Sequence, residues 1–444
     1  MPLEPHQQEA IDKLKRNDSV LVYHGLGSGK TLTALAAAQQ LGPHLNGPTS
    51  VIGPATLKGN FEKEKRKHKV KADFNYSTYT KPNLQNAGLL IFDEAHRMGR
   101  EGTKVSQIPL QIPTEKTMLL TGTPIRNEPS ELIPLLQALN VPTPKDKKAF
   151  ERVFIEKEKV YPGFWGRLQG AEPGIVYKPK NLHLLTQSLR DRVDYHPSAL
   201  KGFPTESSSD VYVPMSAAQE EVYQNIAKTD PGIAYKIKHG LPPGSKDSAR
   251  WNAFLTRTRQ ASNNPEKFQA GSGAPKLDAA LKDIQEAYSQ DKNYRGVTYS
   301  NYLDSGVNPM ASRLEALKIP YAKFTGDTPT ALRDQAIKDY NEGKIKQLLI
   351  SGAGSEGLDL KGTKLMQILE PHWNDQRLEQ VRGRAVRFNS HAHLPENERV
   401  VNVKNYYSTL KDEPSTDMYL KQMSDRKTRL NNAFLKAIQD ADTD

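Results

Sequence analysis

The sequence predicts an α/β protein built from two parallel-sheet lobes. Two separate parts of the chain alternate short apolar runs with helical patterns. The segment between them lacks this alternation and contains scattered prolines. An amphipathic segment follows the second part. We therefore expect four segments, which are lobe 1 (1–141), a mainly helical insertion or linker (142–272), lobe 2 (273–410) and a C-terminal helical tail (411–444).

The first lobe is predicted from four short apolar runs that are typical of buried parallel strands. Each run is nearly continuous in apolar residues and is bounded by turn-forming residues. The predicted strands are Ser19–His24, Ser50–Gly53, Gly88–Asp93 and Lys116–Thr121. The alanine- and leucine-rich segment Lys30–Leu41 is predicted to be a helix. After this lobe, scattered prolines and helical segments near 217–228 and 249–263 indicate the helical insertion.

The second lobe repeats the alternation of strands and helices after the glycines at 271 and 273. The predicted strands are Gly296–Ser300, Tyr321–Thr325, Gln347–Ser351, Leu365–Glu370 and Asn402–Tyr407. The predicted helices are Lys276–Tyr288, Met310–Leu317, Ala331–Tyr340 and Asp375–Val386. Apolar residues recur at helical spacing from Thr416 to Gln439, which predicts a tail helix that packs on the body.

The composition favours an intracellular protein with a polyanionic partner. The 62 lysines and arginines against 51 acids give a net charge of +11, which suits nucleic acid first and acidic membranes second, although solubility alone also explains it. The absence of cysteine excludes disulfides, thiolate catalysis and cysteine-ligated zinc. The N-terminus does not have the pattern of a signal peptide, and no window approaches about 18 unbroken apolar residues, so no membrane span is expected.

A glycine-rich loop joins the first predicted strand to the helix that follows it. Such a loop lets backbone amides converge on phosphates at the positive end of a helix. In this pattern Lys30 reaches the β- and γ-phosphates and Thr31 places its hydroxyl on Mg²⁺. The alternative is an ordinary glycine turn before a helix. The candidate nucleotide-binding residues here are Gly25, Gly27, Ser28, Gly29, Lys30 and Thr31.

Two acids end the predicted strand Gly88–Asp93. A carboxylate at the end of a buried strand is costly unless a cation pairs with it, so Asp93 is the candidate Mg²⁺ ligand. Glu94 is the candidate base that orients and deprotonates the attacking water. A solvated turn is the alternative for these acids taken alone.

A pair of arginines lies on the helix predicted over Asp375–Val386 and just beyond it. Arg384 and Arg387 are three residues apart and therefore project from one face. Paired guanidinium groups suit the charge on a transferring phosphoryl group, so both are candidate catalytic residues. An ordinary basic helix surface is the alternative.

The ordered motifs GLGSGKT, DEAH, TGTPIRN, SGAGSEGLDL and QVRGRAVR resemble those of superfamily-two helicases. The chain is most similar to the Swi/Snf-type ATPase branch, in the compact form of phages and large DNA viruses. The resemblance implies two RecA-like lobes with Mg²⁺-ATP bound between them. The segment Phe388-Asn389-Ser390 departs from the Ile-Gly-Gln of chromatin remodellers, which counts against nucleosome remodelling.

The resemblance also implies roles for residues outside the phosphate loop. Gln7 corresponds to the glutamine that reads adenine. Gly357 and Asp359 lie in the motif that links nucleic-acid contacts to the nucleotide, and the resemblance implies that both are nucleotide-binding residues. The implied contacts to a nucleic-acid backbone are Pro54, Ala55, Thr56, Thr325, Gly326, Ser351 and Gly352. Lys58 opens a basic segment that either lines the nucleic-acid path or is a solvated helix face.

Together these features predict a monomeric ATP hydrolase that moves along DNA, with duplex favoured over single strands. It would work without a membrane, in the host cytoplasm if a phage or virus encodes it. One alternative is a strand-separating helicase in replication, recombination or repair, and another is an ATPase of a transcription complex. A nucleotide-gated scaffold without productive hydrolysis is a third, and Glu94 and the paired arginines count against it.

Overall fold

We describe a computed structural model of the 444-residue chain, which covers residues 2–99, 101–198, 202–244, 248–352, 359–371, 382–383, 386 and 390–442. The chain divides into two compact units. The first unit contains residues 1–157, 177–201 and 427–444, and the second contains 158–176 and 202–426.

The described helices and strands alternate along most of the chain. The strands are β1 (Ser19–His24), β2 (Thr49–Gly53), β3 (Asn75–Thr78), β4 (Ala87–Asp93), β5 (Thr114–Thr121), β6 (Ile155–Val160), β7 (Gly174–Pro179), β8 (Val193–His196), β9 (Thr205–Pro214), β10 (Gly296–Ser300), β11 (Tyr321–Phe324), β12 (Gln347–Ser351), β13 (Leu365–Ile368) and β14 (Val400–Thr409). The α-helices are α1 (Pro5–Arg16), α2 (Lys30–Leu41), α3 (Lys58–Lys67), α4 (Ile108–Gln111), α5 (Leu132–Ala138), α6 (Lys147–Phe154), α7 (Phe164–Leu168), α8 (Leu182–Leu189), α9 (Ala217–Ala227), α10 (Pro231–Lys238), α11 (Ser248–Asn263), α12 (Pro275–Gln290), α13 (Asn308–Ala316), α14 (Thr330–Asn341) and α15 (Thr416–Gln439).

The first unit is built on a parallel sheet with strand order β3-β2-β4-β5-β1-β8. Successive residues of β1 enter different cores, because neighbouring side chains of a strand point to opposite faces. Val20 and Val22 pack with α1 and α2, whereas Leu21 and Tyr23 pack with α5, α8 and the end of α15. The sheet is therefore covered on both faces, as its continuous apolar strands predict.

The second unit is built on another parallel sheet, with strand order β11-β12-β10-β13-β14-β9. Its edge strand β9 pairs with β14 over ten registered positions, from Thr205 opposite Val400 to Pro214 opposite Thr409. A separate two-stranded sheet contains β6 and β7. Helix α15 has residues 416–426 in the second unit and 427–439 in the first.

The predicted fold class is confirmed, because two parallel sheets, a helix-rich intervening segment and a tail helix are all present. Strands β1, β10 and β12 and helices α2 and α15 have the predicted bounds. Strands β3 and β6–β9 were not predicted. Strand β9 contains the polar run TESSSD and is largely exposed, so it lacks the apolar signal of a buried strand. The helix predicted over 375–386 lies outside the described residues apart from positions 382, 383 and 386, and the division into four segments stays a prediction.

None of the described helices is both long enough and apolar enough to cross a membrane.

Candidate nucleotide-binding site

The candidate site lies in the first unit at the carboxyl edge of its sheet. Strands β2, β4, β5 and β1 are neighbours in that order, and all run in the same direction. The segments that follow them are therefore brought to one edge, where ligands of open α/β sheets bind. These segments carry the predicted Pro54, Asp93 and Glu94, the motif at Thr121, and the glycine-rich loop from Gly25.

The glycine-rich loop has two positions where a side chain could not be accommodated. Gly29 has φ of +80° and precedes α2, and an added Cβ would lie 2.3 Å from Nε2 of Gln7. A Cβ on Gly25 would lie 2.3 Å from the backbone nitrogen of Ser198. The Ser28 hydroxyl donates to the Gly25 carbonyl at 2.8 Å, which closes the loop on itself. The loop therefore ends directly at the N-terminus of a helix, where anions are favoured.

Lys30 occupies the interior of the loop. Its Nζ donates to the carbonyls of His24 at 2.9 Å and Gly25 at 3.0 Å. Burial lowers the pKa of Lys30, and the negative charges of Glu94 and Asp93 oppose that shift. The ammonium group is thus close enough to the two predicted acids to feel their charge, and its contact with phosphate stays a prediction.

Asp93 ends β4 with its side chain buried at the sheet edge. It is only 4% exposed, and its carboxylate accepts the Glu94 N–H at 3.1 Å. Burial, reinforced by the neighbouring Glu94 charge, raises the pKa of Asp93 to about 7. This is the electrostatic situation expected for a carboxylate that a cation stabilises.

The residues present fit a magnesium ion. The buried Asp93 carboxylate and the Thr31 hydroxyl are both oxygen donors, which Mg²⁺ prefers. The Thr31 Oγ1 accepts a 3.3 Å hydrogen bond from the amide of Asn60, on the basic helix α3. Asn60 therefore contacts a predicted metal ligand, and no motif in the sequence identified it.

Glu94 adopts a left-handed backbone conformation, with φ of 52° and ψ of 52°. Tyr79 supports this turn, because its hydroxyl donates to the Asp93 carbonyl at 2.9 Å. The Nδ1 atom of His96, two residues further, shares a 2.8 Å hydrogen bond with the Thr121 hydroxyl and lies 3.4 Å from Glu94 Oε2. Burial and the Arg126 charge lower the pKa of His96 to about 3, so the ring is neutral near pH 7. The motif after β4 is thereby joined to the motif after β5.

Helix α1 contacts the loop through two adjacent residues. Gln7 is 4% exposed, and its Nε2 donates to the Ser28 carbonyl at 3.1 Å while its Oε1 accepts the Glu4 N–H at 3.0 Å. His6 Nε2 lies 2.9 Å from the same carbonyl. Gln7 is therefore positioned beside the loop, as the resemblance implies, and its reading of adenine stays a prediction.

Several residues that contact the loop were not identified by sequence reasoning. The ring of His196 stacks on that of His6 at a centroid distance of 3.7 Å. The Leu26 N–H donates to the Ser198 hydroxyl at 3.1 Å, and the buried His24 contacts Asp194. These partners are about 170 positions apart in the sequence, so no local spacing could have indicated the contacts.

The predicted nucleic-acid contacts of the first unit follow β2. Pro54 is buried, and its carbonyl accepts the Tyr76 hydroxyl at 2.8 Å. Ala55, Thr56 and Lys58 are exposed at the start of α3, which buries Phe61 and exposes most of its basic side chains. This geometry leaves both interpretations of the basic helix open, and the nucleic-acid contacts stay predictions.

The predicted contacts of the second unit follow β11 and β12. Thr325 is buried and shares a 3.0 Å hydrogen bond with Thr328, whereas Gly326 is exposed. Ser351 ends β12 and Gly352 follows it. Asp359 is exposed, and its backbone carbonyl accepts the Asn341 amide at 2.8 Å. Gly357, Arg384 and Arg387 lie outside the described residues.

Comparisons with known proteins identify relatives along almost the whole chain. The family description "SNF2-related domain" matches residues 75–267, and "Helicase conserved C-terminal domain" matches residues 278–389. A protein of Acanthamoeba polyphaga mimivirus, named as a candidate ATP-dependent RNA helicase, is 30% identical over 99% of this chain and 97% of its own length. A termination factor NPH-I homolog of African swine fever virus is 24% identical over 94% of this chain and 74% of its own length.

One solved structure supports the fold alone. The helicase domain of Hef from Pyrococcus furiosus has a TM-score of 0.54 and 14% identity, and the match covers 92% of this chain and 95% of that one. Together the matches confirm the fold class and the family resemblance that the sequence motifs predict.

Proposed function

Because this chain belongs to the SNF2-related branch of the superfamily-two helicases, which are ATP hydrolases, we propose that it is a motor coupling ATP hydrolysis to movement along DNA. The observation that carries the proposal is the meeting of three groups at one sheet edge. These are the glycine loop with Lys30, the buried Asp93 and the adjacent Glu94. A phosphate-binding loop, a metal ligand and a base are the parts that hydrolysis of a nucleoside triphosphate requires.

Each residue has a distinct role in the proposed hydrolysis. The loop amides and Lys30 bind the phosphates, and Gln7 beside them recognises the base. Thr31 and Asp93 hold Mg²⁺, which supplies positive charge to the phosphates. Glu94 orients the attacking water and accepts its proton. We further propose that Arg384 and Arg387 of lobe 2 stabilise the charge that develops on the phosphoryl group.

We propose that the nucleic acid along which the protein moves is DNA, with duplex DNA favoured, and that it is bound mainly by electrostatic contacts. In the first unit, the proposed contacts with the nucleic-acid backbone are made by Ala55, Thr56 and the basic start of α3. In the second unit, they are made by Thr325, Gly326, Ser351 and Gly352. The net charge of +11 supports a polyanionic partner. Contacts to phosphates are independent of base sequence, so binding weakens steeply as salt increases.

The test measures steady-state ATP hydrolysis with duplex DNA, single-stranded DNA and RNA at several salt concentrations. We expect duplex DNA to stimulate turnover most, and stimulation to fall with salt. Lys30→Ala serves as the control, because it removes the phosphate contact and should abolish turnover with every nucleic acid. Equal rates of hydrolysis with and without nucleic acid would contradict the proposal that the protein is a motor. Stimulation by RNA alone would mean that it moves along RNA and not along DNA.

A strand-separating helicase is distinguished by its product. Displacement of a third strand from a triplex without separation of a duplex supports a translocase. Separation of the duplex itself supports the helicase.

The second candidate is an ATPase of a transcription complex. It is favoured by the resemblance to a protein named as a termination factor homolog. Copurification of the tagged protein with RNA polymerase from infected or producing cells would support it. In that case the polymerase, and not free DNA alone, should stimulate hydrolysis.

A further inference from the structure

A buried lysine lies between three carboxylates at one end of the first unit. Lys13 of α1 is 6% exposed, and its Nζ contacts Asp442 closely, Asp194 at 3.4 Å and Glu9 at 3.7 Å. Burial opposes the charge on this amine, but the pKa of Lys13 is still raised because Asp442 hydrogen-bonds to it and Asp194 adds its charge. The three acids could coordinate a metal by their spacing, yet the ammonium group already supplies the cation.

Asp442 follows α15 and makes two contacts through different oxygens. One oxygen pairs with Lys13, and the other accepts the N–H of Tyr195 in β8 at 2.9 Å. Lys13 also donates to the Val193 carbonyl at 3.0 Å. Asp442 and Lys13 therefore fix the strand β8 to the helix α1, which carries His6 and Gln7.

Strand β8 and the residues after it lie along the phosphate loop. Asp194 pairs through one oxygen with Lys13 and through the other with the buried ring of His24, at the end of β1. The His196 carbonyl accepts the Gly25 N–H at 2.8 Å, and the Ser198 hydroxyl accepts the Leu26 N–H at 3.1 Å. The loop is thus held by the end of β8 and the residue Ser198 beyond it, and by His6 and Gln7 of α1.

The carbonyl of His24 is also one of the two acceptors of the Lys30 ammonium group. A continuous set of contacts therefore runs from Asp442 through Lys13 and Asp194 to His24, and from there to the lysine that binds phosphate. Among the described residues, the hydrogen bonds and ion pairs of the Asp442, Lys13 and Asp194 side chains and of the His24 ring do not include the proposed base Glu94.

We propose that Asp442 is a positioning residue of the ATP site, which acts through Lys13, Asp194 and His24 on the conformation of the phosphate loop. The proposal rests on the ATP site described above. It assigns part of the nucleotide affinity to a residue at the end of α15, more than 400 positions from the loop. Because the network shapes the binding loop and not the base, its loss weakens ATP binding and leaves the chemical step intact.

The test compares Asp442→Asn with the unaltered protein in steady-state hydrolysis and in direct binding of a fluorescent, non-hydrolysable ATP analogue. We expect KM and the Kd of the analogue to rise about fivefold, which is a typical size for coupling between distant sites. The turnover number kcat should stay within about twofold. The matched control is Asp440→Asn, which removes an exposed carboxylate that pairs with Lys436 at 3.0 Å, and it should change neither constant.

A second variant separates positioning from a general loss of stability. Lys13→Met removes the cation that joins the carboxylates, so it should raise KM at least as much as Asp442→Asn. The double variant should be no worse than Lys13→Met alone, because contacts in one network are not additive. All constants are measured well below the thermal midpoint of each variant.

Three outcomes are distinguishable. An increase in KM with unchanged kcat and non-additive variants supports the proposal. Unchanged KM in Asp442→Asn overturns it, as does an additive double variant or a lowered thermal midpoint without a change in KM. If the unaltered protein binds no nucleotide analogue, the ATP site itself is wrong, which is a separate failure.

Discussion

Glu94, the proposed base, has a left-handed backbone conformation. A left-handed conformation costs a residue with a side chain about 1–2 kcal/mol. Here it is compensated by the contacts of the neighbouring Asp93, whose carbonyl accepts the Tyr79 hydroxyl and whose carboxylate accepts the Glu94 N–H. The turn carries Glu94 past the end of β4, where its side chain is partly exposed while that of Asp93 stays buried.

The first prediction concerns this glutamate. Glu94→Gln keeps the size and the backbone requirement of the side chain but removes the base, so ATP turnover should fall by about 10²- to 10⁴-fold. Nucleotide binding should be retained, because the loop and Lys30 are unchanged. Phosphate release and analogue binding are the measurements, and Glu286→Gln on the exposed face of α12 is the control. Turnover within tenfold of the unaltered protein would exclude Glu94 as the base.

At the scale of single residues, the sequence predicted those that belong to local motifs. The glycine loop, Lys30, Thr31, Asp93 and Glu94 meet in the first unit because each follows a strand of the same parallel sheet. The residues that hold the loop from outside could not be predicted. Asp194 and Asp442 become neighbours of His24 and Lys13 only through tertiary packing, and a single sequence carries no signal for it.

At the scale of elements, α15 begins beside a buried ion pair of the second unit. Lys276 of α12 and Asp417 are both fully buried and pair at 2.5 Å. The same lysine donates to the Leu369 carbonyl at 3.0 Å and to Asn263 at 2.9 Å. Because Asn263 also donates to Glu370, the start of α15 is joined to the two residues that directly follow β13.

The second prediction tests this pair. Lys276→Met should lower the free energy of unfolding by about 3–5 kcal/mol, because it leaves a buried carboxylate without its cation. Lys282→Met on the same helix is the control. That side chain is exposed, so the change should stay within about 0.5 kcal/mol. Denaturant unfolding of both variants gives the comparison, and equal stabilities would mean that the pair contributes nothing beyond an apolar contact.

Whether an element could be predicted depended on its burial. The central strands β1, β4, β10 and β12 are buried throughout, and their apolar runs indicated them correctly. The edge strands β3, β8 and β9, which were not predicted, are short or polar, because an edge strand has one neighbour and more contact with water. The fourth edge strand, β11, is also short and mostly not buried, but it was predicted. Two of these edge strands belong to the segment that was interpreted as a helical insertion.

At the scale of the whole molecule, each six-stranded sheet takes one of its two edge strands from that intervening segment. Strand β8 completes the first sheet and β9 completes the second. In addition, Phe434 and Ile438 of α15 are buried in the core of the first unit with Phe150 and Phe154. Neither unit is therefore a continuous stretch of chain.

The third prediction follows from the pairing of β9 with β14. A fragment of residues 273–426 leaves the edge of β14 unpaired over ten positions, and an open edge is a template for association. We expect this fragment to aggregate, whereas residues 202–426, which restore β9, should remain monomeric. Light scattering during size-exclusion chromatography distinguishes them, and two equally monodisperse fragments would contradict the assigned role of β9.

The division of the first unit also sets an order of events during synthesis. Ribosomes deliver the chain from residue 1 onward, and domains generally fold as they emerge. All residues of the second unit precede position 427, whereas the first unit needs residues 427–442 for its core and for Asp442. The unit that starts to emerge first is thus completed last, and a nascent chain stalled before residue 427 would hold the unit that carries the proposed nucleotide site with an incomplete core.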